Sequence, residues 1–239
     1  MPETAYQRVL LKLSGEVLAG EKGFGIDPAK ATQLAVEVKS IHDLGIDIGL
    51  VIGAGNIFRG MQAAAKGMQR VTGDYLGMLA TIMNAICVQD ALENLGTVTR
   101  TLSAITVAQI AEPYIRRRAI RHLEKGRIVV VAGGTGNPYF TTDTAASLRA
   151  AEIDAEIMLK STRVDAVFDK DPELDKKAKI YKSLSYKEVL EQKLEVMDLT
   201  AITLCEENNM PIRVFNGTIK GNIEKALIGE SIGTYIGDK

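Results

Sequence analysis

Short continuous apolar runs alternate along this chain with longer stretches in which apolar residues recur every three or four positions. Val9-Leu10-Leu11-Lys12-Leu13, Ile48-Gly49-Leu50-Val51-Ile52, Thr97 to Leu102, Arg127 to Ala132 and Ile212-Arg213-Val214-Phe215 have strand length, and read as buried strands. Helical patterns lie between them. One runs from Pro28 to Leu44, with Gly45 beyond its end and Leu34, Val38 and Ile41 on one face. Others span roughly Tyr75 to Leu95, stopped by Gly96, then Pro113 to Lys125, which is strongly basic, and Thr144 to Ala151. Residues 155–168 predict a strand, a turn and a second short strand, and charged loops follow through Lys177. Helices are expected near Tyr186–Gln192, Asp198–Asn208 and Ile223–Leu227, with Thr234-Tyr235-Ile236 as an edge strand. Alternating strands and helices predict an α/β fold with a mostly parallel sheet. No long linker or repeat interrupts the pattern, so residues 1–239 are expected to form a single domain, with any join between two lobes after Ala151.

Three of the predicted strands end in small-residue loops. Ser14-Gly15-Glu16 follows the first, and Gly53-Ala54-Gly55-Asn56, then Arg59, follow the second. After Val129-Val130-Val131 comes Gly133-Gly134-Thr135-Gly136, then Asn137, Thr141, Thr142 and Asp143 before a helix. Thr142 and Asp143 stand where capping residues belong. A helix N-terminus presents free N–H groups that suit an anion. Ligands of parallel α/β sheets sit outside the carboxyl ends of the strands. Three such loops on one rim suit a nucleotide phosphate chain.

Composition narrows the classes. A net charge of −1 argues against a general nucleic-acid surface. The first residues lack the apolar core of a signal peptide, and no uninterrupted apolar run approaches the length of a membrane span, so a cytoplasmic protein is expected. Cys87 and Cys205 are the only cysteines and are too far apart to form a metal cluster. His42 and His122 lie near helix ends, away from the glycine loops, and read as structural.

The motifs of several common chemistries are missing. There is no Walker A sequence, no strict dinucleotide fingerprint and no Gly-x-Ser-x-Gly elbow. Phosphoryl transfer remains, since it needs positioning and positive charge more than a nucleophile. Lys12, inside an apolar strand beside Ser14 and Gly15, could meet phosphates, and Lys160 repeats the device after Ile157-Met158-Leu159. Arg59 could grip an acceptor phosphate with two parallel hydrogen bonds, or be an ordinary surface arginine. Asp74 could cap the long helix or accept from ribose hydroxyls. Asp143 could hold two ammonium groups in place, and Asp171 could be an ordinary turn residue.

In combination, Lys12-Leu13-Ser14-Gly15-Glu16, Gly53-Ala54-Gly55-Asn56 with Arg59, Gly73-Asp74, Thr135 through Asp143, Val196 through Thr200 and Pro211 through Asn216 closely resemble the bacterial uridylate (UMP) kinases of the amino acid kinase superfamily. The resemblance implies a three-layer αβα sandwich, acceptor binding in roughly 1–151 and ATP binding in roughly 152–239. It also implies a magnesium-dependent ATP:UMP phosphotransferase of pyrimidine biosynthesis that is homohexameric, activated by GTP and inhibited by UTP. Lys12, Asp143 and Lys160 would be catalytic. ATP would meet Lys12, Leu13, Ser14, Gly15, Gly55, Arg59, Thr162, Phe168 and Asp171. UMP would meet Ala54, Asp74, Thr135, Gly136, Asn137, Pro138, Tyr139, Phe140, Thr141 and Thr142. Gly20, Glu21, Lys22, Gly23, Phe24 and Gly25 would match the GTP-responsive loop. Ala54 stands where the family usually has a third glycine. Related carboxylate or carbamate kinases, and nucleotide sensors without catalysis, share the expected fold.

Overall fold

The apolar runs become the strands of one sheet in the computed structural model, which describes residues 4–59, 67–170, 175 and 177–238. The strands are β1 (Arg8–Leu13), β2 (Asp47–Ile52), β3 (Thr99–Ser103), β4 (Glu112–Pro113), β5 (Ile128–Ala132), β6 (Ile157–Thr162), β7 (Val167–Phe168), β8 (Ile180–Tyr181), β9 (Ser183–Leu184), β10 (Ile212–Asn216) and β11 (Thr234–Ile236). Nine of them form a sheet in the order β4-β3-β5-β2-β1-β6-β10-β11-β9, and β7 and β8 make a separate two-stranded ribbon. All neighbours in the large sheet are parallel except β10 and β11. The three strands that precede the glycine loops, β5, β2 and β1, are therefore adjacent and end on one rim.

The helices are α1 (Pro28–His42), α2 (Arg70–Asn94), α3 (Arg116–Leu123), α4 (Thr142–Glu152), α5 (Tyr186–Glu191), α6 (Leu199–Glu207) and α7 (Asn222–Leu227). Local chemistry sets several starts. The Asp27 carboxylate accepts from Ala29 N–H ahead of Pro28, and Ser185 with Glu188 forms a capping box on α5. Alternation along β1 divides the core. Val9, Leu11 and Leu13 pack with α1, α2 and α7, while Leu10 packs with α3, α4, α5 and α6 on the other face. The result is helix, sheet, helix, the three layers that the family resemblance implied around the mostly parallel sheet that the pattern predicted.

Some boundaries differ from expectation. Thr234–Ile236 is a strand but lies between β10 and β9, so the two-residue β9 forms the edge. The basic helix is shorter than predicted, because Glu112–Pro113 pairs with β3 instead. The long helix begins at Arg70, not Tyr75, which puts Gly73 and Asp74 inside its first turns. Thr142 and Asp143 are not caps: Thr141 is the N-cap of α4, and both are helical.

By length and composition α2 is the one helix among the described residues that could cross a membrane, which the search for an uninterrupted apolar run did not anticipate. Between Asp74 and Asp90 it carries no charge, although polar residues interrupt it. Its inner face is committed to the fold: Ile82, Ala85, Val88 and Leu92 are buried under the sheet.

Candidate active site

Register brings the two lysines together. β1 and β6 are neighbours with Lys12 opposite Lys160, both on the face that α4 covers. Thr141 begins α4 by accepting from the Asp143 and Thr144 N–H groups. Asp143 thus stands in the first turn with its carboxylate between the lysines. Lys12 Nζ lies 2.7 Å from Oδ1, and Lys160 Nζ lies 2.5 Å from Oδ2. All three side chains are largely shielded from solvent.

Burial alone would raise the Asp143 pKa, but the two ammonium groups outweigh it and hold the carboxyl below its ordinary 3.8. Lys160 is pushed below 10.5, first by burial and then by Lys12, against the opposing pull of Asp143. The signs differ in their effect on stability. The Asp143 contribution is present above its unfolded pKa and is lost as pH falls through its lowered value. Lys160 has a folded pKa below its unfolded one, so stability rises with pH between the two. Burying an ion costs several kcal/mol even after relaxation, so two lysines sharing one carboxylate are a poor device for stability. The cluster carries a net charge of +1 beside a helix N-terminus, an arrangement that favours an anion.

The loops after β1 and β2 meet at close quarters. A Cβ on Gly15 would overlap the Gly53 carbonyl and Asn56 Oδ1, so only glycine fits there. Ser14 Oγ accepts from Glu16 N–H and starts a short 3-10 turn, Gly15–Leu18. Ala54 is buried and lies outside the left-handed region, so its methyl is accommodated without strain. Arg59 donates through Nε to the Gly55 carbonyl at 3.2 Å and pairs with Glu16, which Arg163 approaches at 3.6 Å. Its guanidinium is therefore held against the loops that follow β1 and β2. The loop at 20–25 joins this group at its base. Gly25 N–H donates to the Asn56 carbonyl at 2.7 Å, while Phe24 stands out in solvent.

The third loop is fixed by contacts to α2. Gly133 N–H donates to Thr81 Oγ1 at 2.9 Å, and Gly133, Gly134 and Gly136 all have positive φ. Thr135 Oγ1 donates to the Asn137 carbonyl at 3.0 Å and accepts from Asn137 N–H at 3.2 Å, so this hydroxyl closes a turn. Tyr139 has φ 73°, an unfavourable value for a bulky residue, and its N–H donates to Asp74 Oδ2 at 2.8 Å. Asp74 also pairs with Arg70 at 2.9 Å. It is a tie between α2 and this loop and not a helix cap. Pro138 precedes Tyr139 in the loop, and Tyr139 and Phe140 are exposed. Thr142 Oγ1 faces Gly53, and Thr141 Oγ1 donates to Asp198, the N-cap of α6.

A cleft of about 530 Å³ opens beyond β6. Thr162 and Phe168 line it, together with Leu194 and Val196 from the turn after α5. Asp171 lies outside the described residues. Val196 and Asp198 lie in the Val196–Thr200 motif, whereas nothing in the pattern marked the rest of the wall at 192–195, Thr81 or Asn84. His42 meets the Gly126 carbonyl and His122 meets Glu112, both remote from the cluster.

The model of the amino acid kinase family matches residues 7–216. A UMP kinase structure from Bacillus anthracis is 41% identical with TM-score 0.94, covering 98% of this chain and 97% of its own. One from Ureaplasma parvum is 35% identical with TM-score 0.91, covering 97% and 99%. A uridylate kinase from Archaeoglobus fulgidus is 30% identical with TM-score 0.74, covering 95% and 99%. The sheet, the glycine loops and these matches agree: the chain belongs to the amino acid kinase family.

Proposed function

We propose that this protein transfers the terminal phosphoryl group of ATP to UMP, giving UDP and ADP. The observation that carries the proposal is the Lys12–Asp143–Lys160 cluster, set at the rim where three glycine loops end. The similarity to UMP kinases supplies the acceptor. A phosphate monoester has a second pKa of about 6, so UMP is largely dianionic at neutral pH and needs no general base. The obstacle is repulsion between two anions. Lys12 and Lys160 would counter it, with Asp143 holding both ammonium groups in place.

Leu13, Ser14, Gly15 and Gly55 would follow the ATP phosphates, and Arg59 would join them by exchanging Glu16 for phosphate oxygens. Thr162 and Phe168 would hold the adenosine. Ala54, Asp74 and residues 135–142 would hold UMP. A carboxylate has about four acceptor sites, so Asp74 can keep Tyr139 and still accept from the ribose. Magnesium would neutralise charge on the ATP phosphates, which prefer to share it with water. No group of three His, Cys, Asp or Glu side chains stands together among the described residues to cage it. A cytoplasmic role in pyrimidine nucleotide (CTP/UTP) biosynthesis belongs to the same proposal.

A coupled ADP-release assay with UMP, CMP, glutamate and carbamate tests the acceptor. UMP should be preferred, whereas turnover on glutamate or carbamate alone would overturn the assignment. Adding GTP or UTP to the same assay tests activation and inhibition. The alkaline limb of kcat/KM should fall below the ordinary lysine range, because Lys160 loses its proton early. Lys160→Arg should move that limb upward, since arginine stays charged. A limb that does not move would assign the titration to another group.

A homohexamer is part of the proposal. Leu76, Leu79 and Met83 form an exposed stripe on α2, of the kind that a second copy would cover. Light scattering that reads a monomer would remove this element.

A further inference from the structure

We infer that Asn84, buried in the middle of α2, is a positioning residue for the phosphate-side loop and acts through Asn56. The two amides form a closed pair. Asn84 Nδ2 donates to Asn56 Oδ1 at 2.8 Å, and Asn56 Nδ2 donates to Asn84 Oδ1 at 3.0 Å. The remaining donors are also used. Asn84 Nδ2 reaches the Gly53 carbonyl at 2.7 Å, and Asn56 Nδ2 reaches the Gly25 carbonyl at 2.8 Å. Neither residue has any exposed surface.

Two buried amides in an otherwise apolar layer are costly unless every group is paired, and here the four bonds pair them. A satisfied network of this kind fixes position more than it adds stability. What it fixes is the Gly53–Gly55 loop, whose carbonyl and Asn56 side chain abut Gly15 with no room for a Cβ. The same helix carries Asp74, which holds the acceptor-side loop through Tyr139. Asp74 and Asn84 are about 15 Å apart along the helix axis at 1.5 Å per residue. One rigid rod therefore sets the spacing between the loop that meets ATP phosphates at Gly55 and UMP at Ala54 and the loop at 135–142 that wraps the acceptor. This inference rests on the proposed assignment of those loops.

The test uses Asn84→Ala, Asn56→Ala and the double variant of the full chain, with kcat, and with ATP and UMP affinity by calorimetry. Misplacing the loop should lower kcat about 10- to 100-fold and weaken UMP binding far less, since Ala54 is the one UMP-side residue on this loop. Because the amides act as a unit, the double variant should be no slower than the slower single one. Asn84→Asp adds a signature that loss of packing would not produce. Only its protonated carboxyl can donate to the Gly53 carbonyl, so its kcat relative to wild type should rise as pH falls. Normal kcat in folded single variants, additive losses, or a flat pH ratio for Asn84→Asp would overturn the inference. If Asn84→Ala does not fold, Asn56→Ala removes the same pair and decides the kcat question. Absence of wild-type turnover on UMP would remove the acceptor assignment instead, and the ATP affinities of the variants would then decide whether Asn84 positions the loop.

Discussion

Lys12→Ala is expected to lower kcat at least about 100-fold, the scale of one lost transition-state contact in a shielded site. Lys12 and Lys160 share Asp143, so removing Lys12 leaves a neutral pair where the cluster had one net positive charge. The attraction for phosphoryl oxygens as charge moves between donor and acceptor is then lost from the centre of the site. Stability should change little by comparison. The deletion removes a buried ion and its repulsion from Lys160, and Asp143 keeps one partner. Circular dichroism and melting therefore separate the two effects. A folded variant with near-normal turnover would take Lys12 out of the mechanism.

The second large effect concerns the base. UMP should exceed CMP in kcat/KM by about a hundredfold, as two unpaired polar groups at roughly 1–3 kcal/mol each would produce. Uracil presents an N3–H donor between two carbonyl acceptors, and cytosine replaces one acceptor with an amino donor. Discrimination requires a loop that cannot re-pair itself. The 133–140 segment has that property: Thr81 holds Gly133, Thr135 holds Asn137, and Asp74 holds Tyr139. Thr135 would therefore act by shaping the turn, and Asn137 by its backbone and amide. Replacing both with alanine should erode the preference while turnover on UMP persists. Equal use of the two nucleotides by the wild type would sink this account and weaken the uridylate assignment.

Much of the architecture was legible because β1, β2 and β5 are continuous apolar runs with glycines at their ends. Lys12 stood out as a charge inside such a run. What period can reveal ends where elements become short. β8 and β9 have two residues each, too few to show alternation, and they follow the charged loops without a pattern of their own. Asp74 was picked out, but its role was not, since its partner Tyr139 is distant in sequence and held at a positive φ. Asn84 gave no signal at all. A lone asparagine in an apolar helix acquires meaning only from Asn56 and Gly53, which the fold brings to it.

The pairing of β1 has a consequence for how the protein matures. β1 is hydrogen-bonded to β2 on one side and to β6 on the other. During synthesis the first lysine emerges early and must wait for more than half of the chain before its partner strand exists. Such distant pairings pay the entropy of closing a long loop before any contact rewards it, and they slow folding. The reactive cluster is thus a late product of assembly. A nascent chain halted before Ile157 could fold an N-terminal layer yet could not join Lys12 to Lys160, so recovery of activity on refolding would report completion of the central sheet, not collapse of its first half.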